Sequence, residues 1–377
     1  MTPPPAALRP LFRPHFRTDE VLAEIRECLE AGWAGAGFKT LEFERRWCEY
    51  TGLPHAHFLN SATAGLHVAL AVLKEECGWQ DGDEVITTPL TFVSTNHAIL
   101  YCGLRPVFAD VDEYLTLDPG DVERRITPRT RAVMFVGIGG NTGRLDEVQA
   151  LCRERGLRLV LDASHMSGTR WRGRHVGSDV DAAVFSFHAV KNLPSSDGGV
   201  LCMAGAGLDA RARRFSWMGI DRDTFSRLGR DGRYNWDYDV ASVGYKYQGN
   251  SVSAALALVG LRYLDEDNAH RRELAAAYDA VLGDAVERVP QAPGCLSSRH
   301  LYQVQVDGRD QVIEALMAAG VQCGVHYRDN TLFPMYAGPL CPQARRASER
   351  VLSLPMHLRM TVDEAREIGG LLLALAR

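Results

Sequence analysis

Two short apolar runs, residues 182–187 and 200–203, bracket a polar loop that carries Ser186, His188, Lys191, Asn192, Asp197 and the pair Gly198-Gly199. Runs of this length, rich in aromatic and β-branched residues and bounded by turn residues, are buried strands. Any fold must therefore seat a lysine at the mouth of two buried strands. Lysine is rare here: Lys39, Lys74, Lys191 and Lys246 stand against 38 arginines. Basic surface is supplied by arginine, so a lysine in an apolar setting is present for its amine. Arginine stays protonated, whereas a desolvated lysine can lose its proton and attack a carbonyl. Taken alone, Lys191 also fits a surface turn after a strand.

The remaining composition narrows the class. At 377 residues the chain can build two domains, each with its own core. A hydrophobic share of 46% with 24% charged residues is that of a globular protein. A net charge of −5 without a dense basic run gives no support for nucleic-acid binding. No apolar run approaches the roughly 18 residues that span a bilayer. Nine scattered cysteines, odd in number and without a Cys-x-x-Cys pair, favour reduced thiols in a cytoplasm over a disulfide framework or a metal site. The start, MTPPPAALRP, has no signal-peptide core, and residues 1–17 are expected to be a flexible lead.

Along the chain, Thr18 is placed to cap a helix that stops at Gly32. A glycine-rich loop containing Trp33 follows. Residues 55–59 read as a strand that runs through Asn60-Ser61-Ala62-Thr63 into a helix. Strand, small-residue turn and helix start aim free backbone amides at one spot, which suits an anion as well as an ordinary cap. Further strands are expected at 84–88, 105–111, 131–136 and 157–161, the last closing on Asp162-Ala163-Ser164-His165. A carboxylate at the buried end of a strand is costly unless paired. Phe92, after the first of these strands, suits a ring platform or a core position. Residues 215–239, dense in Arg, Asp, Tyr and Trp, are expected to form a long loop. Residues 290–294 are expected as the hinge into a C-terminal unit, with strands at 301–306 and 321–325, the latter ending at His326-Tyr327.

The segment Phe185-Ser186-Phe187-His188-Ala189-Val190-Lys191-Asn192-Leu193, ending in Gly198-Gly199, resembles the lysine motif of the DegT/DnrJ/EryC1/StrS family of pyridoxal-phosphate (PLP) enzymes, mostly nucleotide-sugar aminotransferases. Further matches follow from about Thr18 to the end, in the family's order. The resemblance implies that Lys191 holds the cofactor and that Asp162 pairs with its ring nitrogen, with His165 close to the ring. It places Ala62 (usually a glycine), Thr63 and Ser186 on the phosphate and Phe92 on the ring face. Gln248 falls where relatives carry an asparagine that reaches the partner subunit's phosphate. Trp33, His326 and Tyr327 fall on segments near the substrate.

The implied fold is α/β, the PLP-dependent transferase fold type I. A large domain (18–265), with a mostly parallel seven-stranded sheet between helices, is joined to a smaller α/β domain (266–377). The implied protein is a homodimer with shared active sites. It would move an amino group from glutamate or glutamine to a keto group of a nucleotide-linked deoxysugar, or of a cyclitol, cycling between PLP and pyridoxamine phosphate (PMP). The arginine bias suggests a GC-rich genome, and with it antibiotic or surface-glycan biosynthesis. Besides a PLP-fold regulatory or partner protein without turnover, two other readings are kept. One is a PLP-dependent sugar dehydratase, against which Lys191 argues, since known dehydratases of the family have histidine there. The other is an NAD(P)-dependent oxidoreductase, suggested by the glycine loop Gly137-Ile138-Gly139-Gly140-Asn141-Thr142-Gly143 between a strand and a helix. The family usually carries a histidine-containing loop at that place.

Overall fold

The computed structural model describes residues 8–221, 238–336 and 338–375. The strands in chain order are β1 (His57–Leu59), β2 (Glu84–Thr87), β3 (Arg105–Phe108), β4 (Thr130–Val136), β5 (Arg158–Asp162), a hairpin of β6 (Arg170–Trp171) and β7 (Arg174–His175), β8 (Ala182–Ser186) and β9 (Gly199–Met203). Seven of them form one sheet in the order β1-β9-β8-β5-β4-β2-β3. The pairings from β8 through β3 are parallel, while β9 runs antiparallel to both β8 and β1.

Helices cover both faces of this sheet, which is why its central strands, β8 and β9 above all, read as apolar runs. The two faces take alternate residues, as a pleat requires. Ala183 and Phe185 of β8 pack with Phe43, Trp47 and Phe58. Ala182 and Val184 pack with Leu66, Leu70 and Leu73 of the helix Ala62–Cys77. That helix lies close to the sheet because Gly65 has no side chain: a Cβ there would meet Val184 Cγ1 at 2.8 Å.

A second, antiparallel sheet follows, made of β10 (Glu287–Arg288), β12 (Tyr302–Gln305) and β13 (Val351–Leu354). It shares a core with the helices Leu264–Leu282, Arg309–Ala318 and Val362–Leu375. The intervening strand β11 (Cys295–Leu296) pairs instead with β6 of the hairpin.

Several expectations are corrected. Residues 290–294 do not lead into the small sheet: they leave its strand β10 for β11, which pairs with β6. Residues 321–325 make only single bridges, Val321 to Arg9 and Gly324 to Ser353, rather than a strand. Thr18 lies inside its helix, with Arg17 preceding it and no side-chain cap. The lead is bound from Arg9 onward: Arg9 N–H donates to Gly320 O at 2.8 Å, and Arg17 pairs with Asp267 at 2.8 Å. Most of the expected loop at 215–239 lies outside the described residues. Among the described residues, no helix is long and apolar enough to cross a membrane.

Candidate active site

The C-terminal ends of β4, β5 and β8 open into a cavity of about 320 Å³, the usual position for a ligand in a parallel α/β sheet. On one side stands the start of the helix Ala62–Cys77. Ser61 caps it, its Oγ accepting from Ala64 N–H at 3.1 Å. Ser61, Ala62 and Thr63 line the cavity, so the first amides of the helix face it as an anion site. The glycine pair after the lysine loop has a role here. A Cβ on Gly199 would come within 2.6 Å of Ala62 N, so the turn can rest on β9 only over a glycine.

Asp162 ends β5 and is buried. Its Oδ2 accepts from Thr95 Oγ1 at 2.7 Å, and its Oδ1 accepts from Ser164 N–H at 3.1 Å and Ser164 Oγ at 2.6 Å. Thr91 Oγ1 lies 2.9 Å from Thr95 Oγ1, and since the Thr95 proton is committed to Asp162, Thr91 is the donor. Among the described residues Asp162 has no ion pair, which leaves a buried carboxylate in need of a cation.

Lys191 supplies the facing amine. Its loop is braced by Lys191 N–H to His188 O and Ser195 N–H to Phe187 O, both 2.8 Å. The next side chain, Asn192, donates to Asn268 Oδ1 at 2.7 Å and Ser298 O at 2.6 Å. Among the described residues the Lys191 amine makes no hydrogen bond or ion pair. Burial pushes it down to about 8, while Asp162 acts the other way.

Histidines form much of the remaining wall. His165 Nδ1 accepts from Gly139 N–H at 3.1 Å, so its proton sits on Nε2 and is donated to Tyr327 Oη at 3.1 Å. Tyr327 thus keeps its own O–H for the cavity, and burial holds that hydroxyl protonated. His300 Nδ1–H donates to Asn192 Oδ1 at 2.9 Å, because the Asn192 amide protons are already committed. His326 lies 2.9 Å from Ser353 Oγ. Burial lowers all three histidines, so they are neutral near pH 7.

Ala62, Thr63, Phe92, Asp162, His165, Ser186, Lys191, His326 and Tyr327 therefore share one cavity. Trp33 and Gln248 do not line it. Trp33 donates from Nε1 to Ala36 O at 2.7 Å within its own loop. Gln248 bridges Leu59, beside the strand that leads into the anion turn. The sequence reading assigned no role to Phe12, Thr95, Ser164 or His300, which also line the cavity. Thr95 and Ser164 lie within three residues of assigned positions, so helix and turn geometry could have found them. Phe12 and His300 arrive from distant segments.

The glycine loop at 137–143 is buried and serves packing. A Cβ on Gly137 would overlap the Met166 thioether, one on Gly140 the Ser298 hydroxyl and one on Gly143 Thr116. Gly139 and Gly140 also take positive φ, at 64° and 89°. Side chains of Met166, Ser298 and Thr116 thus occupy the space beside three of the loop's four glycines.

The donor set fits PLP. It offers, among the described residues, an unpartnered amine, a buried carboxylate without an ion pair, a helix start for a phosphate, and a ring, Phe92, that is 59% exposed and open to stacking. Fold and cavity together define a PLP-dependent transferase of fold type I. The chain belongs to the DegT/DnrJ/EryC1/StrS aminotransferase family, whose model matches residues 16–372. Among solved structures it is similar to the aminotransferase TlmJ of Streptoalloteichus hindustanus, with 32% identity, a TM-score of 0.89 and 98% of each chain covered. It is also similar to DesI, whose structure was determined in the presence of its TDP-sugar product: 32% identity, TM-score 0.86, covering 99% of this chain and 94% of that one. Spr1654 of Streptococcus pneumoniae, with structures in PLP and PMP forms, matches at 27% identity and a TM-score of 0.89. Those two matches cover 98% and 97% of this chain, and 98% of the other chain in each case. The chain is an aminotransferase, and its cofactor is PLP.

Proposed function

We propose that this aminotransferase moves an amino group from glutamate or glutamine to a keto group of a nucleotide-linked deoxysugar. The observation that carries this reading is the Lys191 amine in one cavity with the Asp162 carboxylate, neither of them in a hydrogen-bonded ion pair among the described residues. Bound PLP supplies an aldehyde that exchanges amines and a ring that draws electrons from the donor's α-carbon. Asp162, fixed by Thr95 and Ser164, holds a proton on the ring nitrogen. Lys191 carries the cofactor at rest. With PLP bound, its freed amine would be placed to move a proton at the donor's α-carbon, which its lowered basicity suits near neutral pH. Amides at Ala62 and Thr63, with the Thr63 and Ser186 hydroxyls, hold the phosphate. Phe92 covers the ring, and His165 and Tyr327 offer a hydrogen-bonded edge. His326 and Tyr327 form the wall nearest the acceptor.

The nucleotide-sugar acceptor is supported by the likeness to DesI over nearly the whole chain. Gln248, outside its own cavity but beside the anion turn, is assigned to the partner's phosphate, and Trp33 to the rim of a shared site. The working unit is then a cytoplasmic homodimer, with a large domain at 18–265 and a small one at 266–377. Mixing inactive Lys191→Ala subunits with inactive Gln248→Ala subunits should restore activity if the sites are shared. The acceptor test incubates the PMP-loaded enzyme with keto-sugar nucleotides and keto-cyclitols. Conversion to the PLP form by a keto-sugar nucleotide supports the reading, and conversion by cyclitols alone overturns it. The type of nucleotide converted would also weigh on the assignment to antibiotic or surface-glycan biosynthesis.

A further inference from the structure

The N-terminal segment is a strap tied at both ends. At one end Gln322 N–H donates to Arg9 O at 2.9 Å, Met356 N–H donates to Leu11 O at 3.2 Å, and Arg9 pairs with Glu367 at 3.0 Å. Leu11 packs on Gly324, where a Cβ would stand 2.5 Å from its Cδ2. At the other end Arg17 grips Asp267 through two hydrogen bonds, 3.1 and 2.8 Å, and lies 3.7 Å over the Tyr263 ring.

Between these anchors the strap delivers Phe12. Its ring is parallel to His300, with centroids 5.6 Å apart and an interplanar angle of 7°, and edge-on to His326 at 5.8 Å. Phe12, Val190 and Lys191 line both the reaction cavity and a second, narrow cleft behind it. The mouth of that cleft includes the exposed residues Arg13 and Pro14. Phe12 is therefore a partition between the lysine and a second path to solvent.

We propose that Phe12 is a positioning residue for the reaction at Lys191: its ring keeps water off the amine from the cleft side and so sets how readily that amine gives up its proton. The groups facing Lys191 leave burial as the main control. Asp162 favours the charged amine, and His165, His300, His326 and Tyr327 are neutral. His188 and Asp197 also line the cavity. On the cleft side Arg13, His15, Arg271 and His357 oppose the charge or are neutral, and none offers an anion. Burial is the largest cause of the lowered basicity, and water admitted through the cleft would stabilise the ammonium. Loss of the ring should raise the amine toward its ordinary value.

The test is competitive labelling of the amines with an acid anhydride across pH, on the full-length chain stripped of cofactor, read by mass spectrometry. With four lysines in the chain, the Lys191 peptide is simple to follow. The expected result is a labelling midpoint that rises by a unit or more in Phe12→Ala and little in Phe12→Leu, with Phe12→Val between them. A rise of one unit lowers the neutral amine about tenfold well below the midpoint. A midpoint unchanged across the series, or an equal shift in Leu and Ala, overturns the proposal. The graded Val and Leu variants keep it decidable if Phe12→Ala folds poorly. The proposal rests on Lys191 being the reacting amine. Labelling reads its basicity alone, so either idea can fail while the other stands.

Discussion

Thr95 Oγ1 donates to Asp162 Oδ2 at 2.7 Å from the first turn of the helix Val93–Tyr101, while the Asp162 backbone ends β5. The contact fixes the carboxylate from a separate element, so its direction is set by the fold rather than by its own rotamer. Replacing Asp162 by Asn removes the charge we assign to keeping the ring nitrogen protonated, and amine transfer should fall about 10²–10³-fold, the scale for losing a preorganised electrostatic partner. Thr95→Val leaves the charge and loses one hydrogen bond to it, worth about 1.5–3 kcal/mol, so its loss should be about 10–100-fold. Single-turnover rates with glutamate would check both, and equal losses in the two variants would contradict the assignment.

Buried histidines make the fold sensitive to acid. Burial pushes His175 and His326 down to about 4, and His165 and His300 well below their ordinary range. Their folded values lie below the unfolded one of about 6.5, so as pH drops the unfolded chain takes up protons first. Stability is therefore full above pH 6.5 and declines as pH falls from there toward 4. Each such histidine contributes up to about 1.4 kcal/mol per pH unit in that window. His175 is the cleanest case, with Nε2 accepting from Gly168 N–H at 3.2 Å and Nδ1–H donating to Val176 O at 2.9 Å. Urea midpoints at pH 7 and pH 5 should diverge less in His175→Gln than in the parent.

Gly137 and Met166 are coupled by space. Gly137 has an ordinary φ of −84°, so its backbone would accept alanine. A Cβ there would nevertheless overlap the Met166 side chain, which is fully buried. Gly137→Ala should destabilise the fold by about 1–3 kcal/mol, the scale of overpacking. Met166→Ala alone should leave a cavity and also destabilise. The double variant should be more stable than the sum of the two predicts, by a coupling of about 0.5–3 kcal/mol read in a denaturation cycle.

Much of the architecture was legible because burial on both faces of a parallel sheet leaves contiguous apolar runs, and six of the seven main-sheet strands fall within a few residues of where those runs stand. β1 was also visible, as the short run before Asn60-Ser61. The cavity was legible where chemistry is local in sequence: Lys191 with its loop, Asp162 at a strand end, Ala62 and Thr63 at a helix start. It failed where contact is made at long range. Nothing near Phe12 signals a wall residue, because its place depends on bridges from Arg9 and Leu11 to residues more than 300 positions away. His300 likewise depends on Asn192. The run at 321–325 looked like a strand by composition, yet it gains only single bridges, since the small sheet already ends at β13. The glycine loop misled because close packing and phosphate binding ask for the same residue.

The most direct measurement is the single-turnover conversion of the PLP-loaded Lys191→Ala enzyme by glutamate, compared with the parent. Loss of the amine proposed to move the proton should slow that conversion by about 10²–10⁴-fold, the range for a positioned acid–base group. Conversion within a few-fold of the parent would contradict the claim that Lys191 does the chemistry in this cavity.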